Sequence, residues 1–166
     1  LPIWDMFLFS FYTRGMSFID MAYLKKSDLK NGTITYRRRK TGQQLTVKWE
    51  KCMEDIIAKY RENTATRYLL PIITNPCSDE RTQYRNAICR INVALKEVVG
   101  LAGLNIPLTM HVARHCWASV AKSKNIPLSV ISEGMGHDSE ETTRIYLASL
   151  DTSVVDKANS LILKDF

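Results

Sequence analysis

The chain has 166 residues, 45% of them apolar and 24% charged, with a formal net charge of +6. That length builds one domain with a real core, that composition excludes a disordered chain, and no apolar run approaches the ~20 residues of a membrane span. The positive balance favours a polyanionic partner, although charge by itself does not select nucleic acid.

In chain order, LPIWDMFLFSFY is apolar but carries Asp5 and lacks a basic leader. It reads as a buried helix and not a signal peptide. It begins with neither an initiator Met nor a capping sequence, as expected of a piece of a longer protein. Residues 1–13 and 16–25 are expected as helices joined around Arg14-Gly15, and Asn31-Gly32 as a turn. In TITYRRRKTGQQLTVKW the pattern alternates, with Ile34 and Tyr36 on one face, Leu45, Val47 and Trp49 on another, and Lys40-Thr41-Gly42 between them. This is a hairpin signal. Helical spacing returns over 50–63 through Met53, Ile56, Ile57 and Tyr60, and YLLPII (68–73) is too short to classify.

Ser78 or Asp79 caps a long helix with its stripe at Tyr84, Ile88, Ile91, Leu95 and Val98, ending at Gly100. Thr109 caps the helix HVARHCWASVAKS. Asn125-Ile126-Pro127 opens a short helix stopped at Gly134. Asp138-Ser139-Glu140-Glu141 then supplies a cap and two first-turn acids for a helix through Tyr146. The expected domain is mainly α (α+β), with helices around one small antiparallel sheet. The four cysteines, Cys52, Cys77, Cys89 and Cys116, form no CxxC pair and read as free thiols of a reducing compartment.

HVARH (111–115) holds two of the three histidines. His111 and His115, four apart, share a helix face, but a zinc protease needs Glu where Val112 stands, and no third ligand follows at metal spacing. No metal site is read here, and His115 reads as structural. His111 and Arg114, three apart, also share a face, opposite a core-facing stripe of Ala113, Cys116, Trp117 and Val120. An imidazole beside a guanidinium suits a phosphate, which Arg binds through two oxygens. The bland alternative is a polar helix face with one packed histidine.

The chain also carries Arg14 at a helix junction, Lys40 at the tip of a basic hairpin, and GMGH (134–137) nine residues before Tyr146. In this order, Arg14, Lys40, His111-x-x-Arg114, His137, Tyr146, the sequence resembles the catalytic domain of the tyrosine recombinases, the integrases and Xer-like resolvases. The resemblance runs over roughly residues 1–150. TRGMSFIDMAYLKKSDL and HVARH look like the integrases of conjugative transposons and related bacterial mobile elements.

The resemblance implies that Tyr146 attacks a DNA phosphate to form a 3′-phosphotyrosyl link. Arg14 and Arg114 would hold the non-bridging oxygens, and Lys40 would protonate the leaving 5′-oxygen. His111 would act as base or donor, and His137 would hydrogen-bond the phosphate. No cofactor is implied, the two guanidiniums supplying the charge that Mg²⁺ supplies elsewhere. Without the resemblance, Lys40 reads as a surface lysine and Tyr146 as a half-buried core tyrosine.

Arg37, Arg38 and Arg39 read as a solvated, phosphate-tracking, DNA-binding face. The family's acid usually stands three positions after the first arginine, but Asp20 stands six after Arg14. Either Gly15-Met16-Ser17 bulges and Asp20 supports Arg14, or the acid acts elsewhere. The implied organisation is a catalytic domain over 1–152 and an amphipathic tail helix over 153–163 that docks in trans. An N-terminal core-binding domain would lie outside this chain. The implied partners are double-stranded DNA attachment sites and, in the full-length protein, a homotetramer on DNA. The fragment alone is expected as a monomer, in the bacterial cytoplasm with the nucleoid. Rival readings are a type IB topoisomerase, a telomere resolvase, and a non-catalytic DNA-binding regulator of the same fold.

Overall fold

The computed structural model describes residues 2–61, 65–101 and 108–148. They fall into two compact units, one ending at Trp117 and one starting at Ala118. The architecture is mainly α with one small antiparallel sheet, as the patterning predicts. Among the described residues no helix is long and apolar enough to cross a membrane.

In the first unit, α1 (Ile3–Tyr12) buries Met6 and Phe9 on its inner side. It also buries Asp5, whose Oδ1 accepts from Lys59 Nζ at 2.6 Å and whose Oδ2 accepts from Tyr60 Oη at 2.7 Å. An acid inside an apolar run is tolerated because both oxygens are satisfied. α2 (Phe18–Ala22) is shorter than the expected 16–25: Ser17 caps it by accepting from the Asp20 N–H, and the chain leaves the helix at Tyr23.

The sheet has three strands, in the order β1 (Leu29–Lys30), β2 (Thr33–Arg37), β3 (Gln44–Lys48). The β2–β3 hairpin forms as expected, but Ile34 pairs with Val47 and Tyr36 with Leu45, so these side chains share one face of the sheet and do not lie on two. β1 has no counterpart in the sequence pattern, because two residues carry no period to read. α3 (Lys51–Ala58) follows.

Residues 68–73 form neither helix nor strand. They are held by a bridge from Tyr68 to Lys25 and by the Leu69 N–H donating to the Leu24 carbonyl. Their side chains are nevertheless core, with Leu70 at 0% exposure. In α4 (Glu80–Leu101) the cap is Asp79, whose Oδ2 accepts from the Thr82 N–H at 2.6 Å; Ala87, Ile91 and Leu95 are buried. The helix runs past the expected stop at Gly100.

α5 spans Met110–Ser123, and its first two turns belong to the first unit. Its expected core stripe holds at Ala113, while Cys116 and Trp117 are half-buried and Val120 is exposed. In the second unit, α6 (Leu128–Met135) contains Gly134 and stops at Gly136 instead. Gly136 adopts φ 64, and the N–H of His137 donates to the Ser132 carbonyl across it. That left-handed closure is the usual glycine stop. α7 (Glu140–Ala148) starts as expected, with Ser139 Oγ accepting from the Thr142 N–H and Glu140 and Glu141 in the first turn. Ile131, Met135 and Leu147 are buried there. The predicted tail helix lies outside the described residues.

Candidate active site

Arg14 arises from the end of α1. The N–H groups of Thr13, Arg14 and Gly15 donate to the carbonyls of Phe9, Phe11 and Ser10, and the chain turns through two left-handed residues, Arg14 at φ 62 and Gly15 at φ 75. A non-glycine residue at positive φ costs about 1 kcal/mol or more, and such strain gathers at functional sites.

Gly15 is required there. A Cβ on it would lie 2.6 Å from Cγ and 2.8 Å from Cα of Arg114. The glycine lets α5 come close enough for Arg114 Nη1 to donate to the Gly15 carbonyl at 2.9 Å. One contact thus fixes both the arginine of α5, which is buried, and the turn that carries Arg14.

The β2–β3 turn presents Lys40, exposed at its tip. The Arg38 N–H donates to Gln43 O and the Gly42 N–H to Arg38 O, while Arg37 Nη1 donates to Gly42 O at 3.0 Å. Period two points Arg38 to the same inward face as Ile34 and Tyr36, and it is buried. Arg37 and Arg39 are exposed, and the Arg39 guanidinium lies 3.6 Å over the Tyr23 ring. Of the three arginines expected on a solvated face, two are there.

Asp20 is buried, and its oxygens are taken by Ser17 Oγ at 2.6 Å and by the Arg39 N–H at 2.8 Å. Neither bond goes to Arg14. Through Arg39, Asp20 is tied instead to the turn that carries Lys40. Ser17, three before the acid, serves as the helix cap.

Electrostatics show that these groups share a neighbourhood. His111 is held below the ordinary histidine range by partial burial and by the charges of His115, Arg114 and Lys40. His115, whose ring meets that of His111 edge-on at 4.6 Å, is lowered by burial and by Arg114. His111 is therefore a neutral imidazole at neutral pH, able to accept a proton or donate one hydrogen bond.

Tyr36 is pushed well up by burial and by Asp20, against the opposing charges of Arg38, Arg114 and Arg14. The first unit thus brings together Arg14, Lys40, His111 and Arg114, with Asp20 and Tyr36 among them. His111 and Arg114 line an open cleft of about 380 Å³ together with Gly15, Ser17 and Tyr84. Among the described residues no group of three or more His, Cys, Asp and Glu side chains is placed to hold a metal ion.

The second unit pairs His137 with Tyr146. Their rings lie 5.6 Å apart at 70°, and His137 Nδ1 is hydrogen-bonded to Thr143 Oγ1 at 2.8 Å. Thr143 is fully buried one turn before Tyr146 on α7. This bond occupies Nδ1 and fixes the ring against α7. Thr143, Tyr36 and Gly15 escape a search by residue type. The available signals are the inward register of Tyr36 and the three-residue offset of Thr143 from Tyr146.

The chain belongs to the phage integrase family, whose model matches residues 3–153. Among solved structures it is similar to the XerA recombinase, with 19% identity and a TM-score of 0.65 over 96% of this chain and 60% of that one.

It is also similar to the XerH site-specific recombinase bound to a palindromic difH substrate in a post-cleavage complex, with 20% identity, TM-score 0.66, and coverage of 96% and 45%. A lambda integrase dimer bound to a COC′ core site matches at 15% identity and TM-score 0.63, covering 87% and 51%. The chain thus spans about half the length of the solved proteins it matches. No curated protein matches it.

Proposed function

We propose that the chain is the catalytic part of a site-specific DNA recombinase that cuts and rejoins strands through a 3′-phosphotyrosyl intermediate. The observation that carries this reading is that the first unit sets Arg114 and Lys40 near a neutral His111, with Arg114 bonded to the Gly15 turn that carries Arg14. Three cations without a matching set of carboxylates suit a phosphodiester.

In the proposed reaction Tyr146 Oη attacks phosphorus, and the P–O5′ bond breaks as the P–Oη bond forms. Arg14 and Arg114 hold the non-bridging oxygens, where losing one preorganised donor costs on the order of 10²–10³ in rate. His111 takes the tyrosine proton, His137 donates to the phosphate through Nε2, and Lys40 gives its proton to the leaving 5′-oxygen. The phosphotyrosyl bond conserves the energy needed to rejoin the strand.

The intact protein, in this reading, is an integrase of a conjugative transposon or related bacterial mobile element. It acts as a tetramer on double-stranded attachment sites, at the nucleoid. The test is Tyr146→Phe in the intact protein on a nicked suicide substrate. DNA binding should stay at the parental level while covalent adduct disappears. Parental adduct in that variant, with loss of adduct on changing another tyrosine, would reassign the nucleophile.

A further inference from the structure

Lys40 must deliver a proton to one oxygen, yet it stands exposed on a hairpin tip with four rotatable side-chain bonds. Hydrogen bonds within the turn shape it but do not fix it against the rest of the domain. Its neighbour Arg39 does. The Arg39 backbone N–H donates to buried Asp20, and its guanidinium lies 3.6 Å over the Tyr23 ring. Asp20 and Tyr23 stand three apart at α2 and its end, so both grips come from one rigid face.

Tyr23 is itself braced. Tyr68 meets it edge-on, with centroids 5.8 Å apart at 89°, and Tyr84 lies 6.4 Å away. Of these, Tyr68 is core, at 2% exposure. An exposed arginine is thus laid on an aromatic face held by the hydrophobic core.

We propose that Tyr23, through the stacked guanidinium of Arg39, is a positioning residue for the Lys40 turn, and so for protonation of the leaving 5′-oxygen. This rests on the reading of Lys40 as the proton donor. Arg39 is then a strut for the turn and not a phosphate contact.

The test separates the proton-transfer step from every other. Nicked suicide substrates are made with the ordinary 5′-oxygen or with a bridging 5′-sulfur at the scissile phosphate. Sulfur leaves as a thiolate and takes no proton. Adduct formation by the intact protein is followed for Lys40→Ala, Tyr23→Leu, Tyr23→Phe and Arg39→Ala, together with DNA affinity.

Tyr23→Leu and Arg39→Ala should each slow cleavage about tenfold on oxygen and return to within about twofold of the parent on sulfur. Tyr23→Phe keeps the ring face and should match the parent on both. Arg39→Ala, a surface change, guards against misfolding of the Tyr23 variant.

Equal slowing on both substrates, or no slowing on oxygen, would overturn the proposal. So would a loss of DNA affinity in Arg39→Ala that Tyr23→Leu does not share, which would make Arg39 a phosphate contact. If Lys40→Ala is rescued by sulfur and the Tyr23 and Arg39 variants are not, the positioning role fails while Lys40 stands. If Lys40→Ala is not rescued, the assignment of Lys40 itself falls and takes this inference with it.

Discussion

Gly15→Ala tests whether the two arginines are held as one unit. The added methyl meets Arg114 Cγ at 2.6 Å and its Cα and Cβ at 2.8 Å, where carbon atoms prefer about 3.5–4.0 Å. One of these atoms is helix backbone, so a side-chain rotation does not relieve the overlap. Relief requires α5 to retreat by about 1 Å, which also stretches the 2.9 Å bond from Arg114 Nη1 to the Gly15 carbonyl.

The residue must also remain at φ 75, which costs a non-glycine about 1–2 kcal/mol. Overpacking adds about 1–3 kcal/mol, for a total of about 2–5 kcal/mol. Gly42 isolates the first contribution, since it has φ 74 and a Cβ added to it would meet nothing within 4 Å. Gly42→Ala should lose only about 1–2 kcal/mol.

Urea unfolding gives both losses. Adduct formation under conditions where Gly15→Ala is folded should fall about 10²-fold, the usual effect of a 1 Å misplacement. If Gly15→Ala is no less stable than Gly42→Ala and forms adduct at the parental rate, the close approach of Gly15 to Arg114 does not hold the site.

Three further outcomes follow from the same geometry. Burial opposes ionisation of Asp5, but hydrogen bonds from Lys59 and Tyr60 and the charge of Lys59 outweigh it, so its folded pKa lies below the ordinary 3.8. A lowered carboxyl pKa stabilises the fold above the unfolded value and loses that contribution as pH falls through the folded one. Asp5→Asn should therefore lose about 1–3 kcal/mol at pH 7 by urea unfolding, and the deficit should shrink below about pH 4. Thr143→Val keeps shape and removes the Nδ1 partner of His137; adduct formation should drop about tenfold with DNA affinity unchanged in a filter-binding assay. DNA affinity of this chain should fall steeply with salt, by about one counterion per phosphate neutralised, and a flat titration would contradict phosphate-dominated binding.

What the sequence carries legibly is local. The β2–β3 hairpin and the start of α7 are readable because alternation, Gly42 and Ser139 act within a few residues of themselves. The 68–73 run is not, since its bonds go to Leu24 and Lys25, far back in the chain. Nor is the choice between Gly134 and Gly136 as the stop of α6. Either glycine tolerates a left-handed turn, and packing decides which adopts it.

The candidate site divides in the same way. Arg14, Lys40, His111, Arg114, His137 and Tyr146 stand out through their order and spacing, which resemble those of the tyrosine recombinases; taken singly, Lys40 and Tyr146 would pass as surface and core residues. Their supports follow no such pattern. Gly15 serves only by lacking a Cβ beside Arg114, and any braced aromatic face under Arg39 would serve in place of Tyr23, so neither carries a reactive group that marks it in the sequence.

Their partners are also remote: the bond between Arg114 and Gly15 joins residues 99 apart, and that between Arg39 and Asp20 residues 19 apart. The proposed reacting groups are therefore a matter of order and spacing in the sequence, and their placement a matter of long-range packing. Substitutions that spare every reacting group and touch only these supports are the ones that separate having the right residues from holding them in place.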